Sequence, residues 1–163
     1  MKRLAALTIA AVAVVAGACS SSSTPNAAQS KTDITTAYDK LFNFADKSLP
    51  DKEAVVEGGA SLKTALDQGL TSPLASGVAG ASVSSVTILS DSQCATHKVP
   101  TPCASVAYSL VASSGQAVLA GQTGYATYST GKWLVAKVTI CGLLDSLYSV
   151  TGKQGTPPGC PTP

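Results

Sequence analysis

Arginine is almost absent from this chain: Arg3 is the only one, and after Lys2 and Arg3 no charge appears again until Lys31. Taking away those two residues turns 11 Lys+Arg against 9 Asp+Glu into 9 against 9, so the formal charge of +2 belongs to the first three residues. A neutral remainder without guanidinium forks lacks the donors that grip phosphates and base edges, which excludes nucleic acid as a partner. Histidine is nearly as scarce, since His97 stands alone. No Cys-x-x-Cys pair, Gly-x-Ser-x-Gly elbow or phosphate-cradling glycine loop occurs, so no cofactor and no metal is expected. Charged residues are 12% and aromatics 5% of the chain, so a core must be built largely from aliphatic side chains.

What is present is concentrated at the start. Met1-Lys2-Arg3 is a basic head, and Leu4 to Ala18 is an uncharged, largely apolar stretch. It falls short of the about 20 residues that a spanning helix needs, and reads as an export signal. The run Val15-Ala16-Gly17-Ala18-Cys19 stands directly before Ser20-Ser21-Ser22-Ser23. Small residues ahead of a cysteine fit lipoprotein processing, in which Cys19 carries a diacylglyceryl thioether and often an N-acyl chain. The expected layout is a lipoprotein signal over 1–18, a lipidated Ser-rich tether over 19–32, a domain over 33–150 and a Pro/Gly-rich tail over 151–163. The domain then works at the outer face of the cytoplasmic membrane, held by lipid or shed from it. The rival is an ordinary secretory signal cut elsewhere.

Four further cysteines, Cys94, Cys103, Cys141 and Cys160, remain in an exported and hence oxidising setting, which favours two disulfides. Three connectivities are open. Cys94–Cys103 and Cys141–Cys160 are favoured, because each brackets a local segment rich in Pro or Gly. The first would close the loop Ala95 to Pro102 between two strands; the second would tie the tail to the last strand.

Residues 20–32 show no apolar periodicity and read as a flexible tether. Thr32 or Asp33 then caps a helix carrying Ile34, Ala37, Tyr38, Leu41, Ala45 and Leu49 at helical spacing, ended by Pro50. Asp51 to Glu57 predicts a short second helix stopped by Gly58-Gly59, and Ser61 to Gly69 a third with Gly69 as its cap. From Ala81 the pattern changes to Val, Thr, Tyr and Ile. Strands are predicted over Ser82–Ser90, Cys103–Ala112, Ala117–Ser129 and Lys132–Cys141, with turns at Ser113-Ser114-Gly115-Gln116 and Thr130-Gly131. Leu143, Leu144, Leu147 and Tyr148 suggest a final helical turn or two. Helices followed by consecutive strands make an α+β domain, with N-terminal helices packed on a curved antiparallel sheet of 3–4 strands.

Val55-Val56-Glu57-Gly58-Gly59, the amphipathic segment after it, the strand Val83 to Leu89, and Gly131-Lys132-Trp133-Leu134 leading into Leu143-Leu144 carry a resemblance. Together they resemble the layout of the mycobacterial low-molecular-weight secreted antigen family over roughly residues 33–150. The resemblance implies a small exported domain that is immunogenic in infected hosts and has no assigned enzymatic activity. The order of helices then curved sheet also looks like the cone-shaped nuclear-transport-factor-2-like fold. The lipidation motif and four extra cysteines depart from the antigen pattern and favour membrane anchoring over free secretion.

Few side chains offer chemistry. His97 has no carboxylate near it in sequence and reads as a loop residue; Glu53 and Glu57, one helical turn apart, read as a solvated face beside Lys52, and Asp67 and Asp91 as solvent-facing. Tyr108, Tyr125, Tyr128 and Trp133 lie on three predicted strands and could line a hollow for an apolar ligand, although core packing is the more ordinary role for such rings. The sequence therefore supports a non-catalytic binding module for an apolar envelope ligand or an envelope protein. The alternative is a small hydrolase or isomerase on a cone fold, using carboxylates or His97.

Overall fold

A computed structural model describes residues 26–161; Cys19, the signal and most of the tether lie outside them. Among these residues six α-helices and four strands follow in the order α1 (Ala27–Phe42), α2 (Leu49–Glu53), α3 (Lys63–Leu70), α4 (Pro73–Gly77), β1 (Gly80–Ile88), α5 (Asp91–Thr96), β2 (Cys103–Val111), β3 (Ala117–Ser129), β4 (Lys132–Val135) and α6 (Lys137–Thr151), with a 3-10 turn over Gly59–Leu62 leading into α3. The strands form one antiparallel meander, β1-β2-β3-β4, curled into a half-barrel. At the β3–β4 hairpin Thr130 and Gly131 both have positive φ, +52° and +81°, the two-residue turn whose twist matches its strands.

Helix α1 lies in the trough of the sheet and touches both outer strands, β1 and β4. Its buried face is Ile34, Ala37, Tyr38, Leu41 and Phe42, the i, i+3, i+4 spacing that one apolar stripe requires. Aromatic rings span the gap to the floor of the trough. Phe42 stacks on Tyr108 at 5.6 Å, and Tyr38 meets the same ring edge-on at 5.0 Å.

Several boundaries differ from the sequence reading. Helix α1 begins at Ala27, so the end of the expected tether is helical: the Asn26 side chain accepts from the Ala28 amide at 2.9 Å, a side-chain cap, and Ser30 is fully buried. The same helix stops at Phe42, and Pro50 opens α2 rather than ending α1, because a ring without an N–H suits a first helical turn. Residues 55–57 are not helical. Val56 bridges Val135 in parallel, with Val135 N donating to Val55 O and Glu57 N to Val135 O, both at 2.9 Å, so this segment covers the outer side of β4. Gly69 lies inside α3, whose C-cap is Thr71.

The loop expected between Cys94 and Cys103 starts as α5, held by a capping box in which Ser90 and Gln93 serve each other's backbone. The fourth strand ends at Val135 rather than Cys141. There the Glu57 carboxylate accepts the Lys137 amide at 2.9 Å, satisfying an open N–H of α6. Two disulfides close, Cys94–Cys103 and Cys141–Cys160; the second joins α6, not a strand, to the tail.

Candidate functional site

Strand β4 pairs with β3 only at Ala126 to Ser129, and beyond that point α6 runs beside β3 in its place. The junction is held at Tyr125. Its amide donates to Thr139 Oγ1 at 2.7 Å, and its carbonyl accepts from the Ala136 amide at 2.9 Å and the Tyr38 hydroxyl at 3.1 Å. Burial pushes the Tyr38 phenol far above its ordinary value, against the lowering effect of the Thr139 hydroxyl. Burial also pushes Tyr108 up, to about 12, so both stay neutral donors at any physiological pH.

Because α6 does not close against β3 as a strand would, clefts remain along it. One, of about 320 Å³, opens between the free part of β3 and α6 and is lined by Tyr108, Gln122, Thr123, Thr139, Gly142 and Ser146, with Tyr125 and Leu143 at its walls. A second, of about 50 Å³, lies under α6 where α1 and α3 meet it; Phe42, Phe44, Leu66, Leu70, Ile140 and Leu143 form its sides. Leu143 belongs to both. Gly69 and Gly142 face open space, for a Cβ on either would meet nothing within 4 Å.

Among the described residues the inner cleft has one ionisable neighbour, Lys52, only 1% exposed. Its ammonium turns away to the end of α1, donating to Lys40 O and, at 2.8 Å, to Asn43 O, with Asp46 at 3.9 Å. Burial lowers its pKa, while Asp46 and Asp51 act to raise it. The methylenes of Lys52 are what remain for the cleft, whose walls are therefore apolar.

The four aromatic residues suggested for a ligand hollow separate. Tyr108 and Tyr125 both line the wider cleft, although Tyr108 also belongs to the core stack. Tyr128 and Trp133 face each other, 5.5 Å between centroids, at the far end of the β3–β4 hairpin, and neither lines the clefts along α6. Tyr125 alternates with the inward Gly124 and Ala126, so its ring lies on the outer face of the sheet. There it stacks on His97 at 4.6 Å, with its hydroxyl 2.9 Å from Nδ1. No carboxylate bonds this imidazole, and no cluster of three His, Cys, Asp or Glu is placed to hold a metal, among the described residues. Glu53 and Glu57 do not act together: Glu57 caps α6, as described above.

The residues that shape the clefts, Gly69, Gly142, Gln122 and Leu143, were not singled out for them by sequence reasoning. Only the two glycines could have signalled them, since both lie inside helices, α3 and α6, where glycine costs stability and commonly has a packing reason. No protein-family model, curated protein or solved structure matches the chain.

Proposed function

We propose that this protein is a lipid-anchored binding module of the cell envelope, attached through Cys19 at the outer face of the cytoplasmic membrane, and that it takes an apolar ligand rather than catalysing a reaction. The observation that carries the reading is the pair of clefts sharing Leu143, one apolar and one rimmed by hydroxyl and amide groups. Such a combination suits a ligand with an apolar body and few polar atoms. The cone-shaped nuclear-transport-factor-2-like fold fits a helix lying in a curled sheet, and membership of the low-molecular-weight antigen group fits a small exported domain of this order. His97, engaged with Tyr125 and without an acid partner among the described residues, supports the non-catalytic side of the choice.

Two measurements test it. Cys19→Ala is expected to move the protein out of the detergent phase; if the variant still partitions there, the anchor is elsewhere. Native mass spectrometry of protein extracted from membranes is expected to show a co-purifying lipid. A stoichiometric protein partner without lipid would favour an accessory role, and turnover lost on His97→Ala would revive the hydrolase.

A further inference from the structure

The wider cleft sets hydroxyl and amide groups beside the apolar Leu119, Val138 and Leu143, and none of the described residues that line it is charged. Its hydrogen-bonding groups come from Tyr108, Gln122, Thr123, Thr139 and Ser146, none of them ionised at neutral pH. Thr139 is already committed to the Tyr125 backbone, and the Gln122 amide donates to Ala120 O at 2.8 Å. Tyr108 differs. The residue is 3% exposed, its hydroxyl makes no hydrogen bond to a described residue, and it lines this cleft. The buried polar atoms left without a partner among the described residues are Ser30 Oγ and Trp133 Nε1, so the Tyr108 hydroxyl meets the open cleft and can donate to whatever occupies it.

Thr123 adds backbone. It lies two residues from Tyr125, whose N–H and C=O point to the α6 side, and strand geometry repeats every second residue. The Thr123 N–H and C=O therefore face the cleft. Across Leu143, the inner cleft offers only hydrocarbon, since Lys52, the one cation near it among the described residues, spends its ammonium on the carbonyls of Lys40 and Asn43.

The geometry points to a single ligand chemistry: an alkyl chain bearing an uncharged polyol head, the head hydrogen-bonded to Tyr108 and the Thr123 backbone and the chain passing Leu143 into the apolar cleft. An anionic or cationic head has no counter-charge here and would lose its hydration on entering. The inference rests on the proposed binding function and narrows it to neutral amphiphiles. The inner cleft, at about 50 Å³, sets the chain as short, or as the end of a longer one.

The test uses three eight-carbon probes below their micelle concentrations, monooctanoylglycerol, octanoate and octyltrimethylammonium, with binding read by calorimetry. Monooctanoylglycerol is expected to bind at least about tenfold more tightly than either ion, the scale of one unpaired polar group. A Cβ at Gly69 or Gly142 meets nothing within 4 Å, so Gly69→Leu and Gly142→Leu are both expected to fold and to abolish binding. Tyr108→Phe keeps the ring stack and is expected to erase the preference for the glycerol head. Equal binding of all three probes, blocked by Gly69→Leu, would overturn the neutral-head inference and leave the apolar-ligand function standing. No binding of any probe to the unaltered protein would overturn both.

Discussion

The hydroxyl of Tyr38 occupies the space that a side chain on Gly124 would need: a Cβ there would lie 2.5 Å from Tyr38 Oη and 2.7 Å from Thr139 Cγ2. The missing side chain lets α1 and α6 meet over β3, where both bond the Tyr125 backbone. Gly124→Ala is expected to cost about 2–3 kcal/mol, since overpacking a closed site forces neighbours apart. Tyr38→Phe alone is expected to cost about 1 kcal/mol for its hydrogen bond. Urea denaturation of the double variant should fall short of the sum, because removing the hydroxyl relieves part of the clash. Strict additivity would mean that the two residues do not share this space.

Lys52 gives the second prediction. Lys52→Met preserves the stem but leaves the carbonyls of Lys40 and Asn43 without their buried donor, an expected loss of about 2–3 kcal/mol. Its pH dependence has a definite sign. Burial lowers the folded pKa below the ordinary 10.5, so in the interval between them the unfolded chain holds a proton that the folded one releases. Stability contributed by this group therefore rises with pH across that interval. The difference between unfolding free energies of the unaltered protein and Lys52→Met should show this rise; a flat difference would mean that the ammonium is hydrated.

The strands were legible because Val, Thr and Tyr alternate along them and glycine-bearing turns divide them, so β2 and β3 match the sequence reading closely. The change of element after Val135 was hidden. Lys137-Val138-Thr139-Ile140-Cys141 continues the β-branched character of the strand, and only distant groups, the Glu57 carboxylate and the Tyr125 backbone, turn it into a helix. The first turns of α1 were hidden for the opposite reason: outside Ser30 they are exposed, and apolar periodicity cannot report an exposed helix. The clefts follow from that same change of element, so they were equally invisible. Aromatic content pointed to four residues, but the alternation of β3 sends Tyr125 outward.

The buried phenols predict alkaline instability. Well below pH 10.0 Tyr38 and Tyr108 are neutral in both states and contribute no slope. Above it the unfolded chain loses these protons first, while folded Tyr108 keeps its own to about 12 and Tyr38 beyond that. The folded state then binds more protons, so stability falls as pH rises. Urea unfolding at closely spaced pH values should give that fall, and Tyr108→Phe should remove about half of its slope if each phenol contributes about one proton. An unchanged slope would place Tyr108 in contact with water.

The two disulfides should differ in what they hold. Cys94–Cys103 spans a separation of 9 residues and Cys141–Cys160 one of 19, and chain entropy alone makes each worth about 3 kcal/mol, the longer slightly more. Their surroundings separate them further. The shorter loop keeps the α5 capping box, the Thr127 hydroxyl on Pro100 O at 2.9 Å and the Tyr128 amide on Pro102 O at 2.8 Å, contacts that survive without the sulfur bridge. The tail has less. Its Gly159 packs against the Ser61 carbonyl, and Cys160 N donates to Pro157 O at 3.0 Å within the tail itself. Replacing Cys141 and Cys160 by Ser should therefore speed hydrogen exchange along 152–160 and into α6. Replacing Cys94 and Cys103 by Ala should lower the melting temperature with little effect on exchange in 100–103. Because α6 walls both clefts, the first replacement should also weaken monooctanoylglycerol binding, and the second should not. Equal exchange in the two loops would show that the tail has an independent hold on the domain.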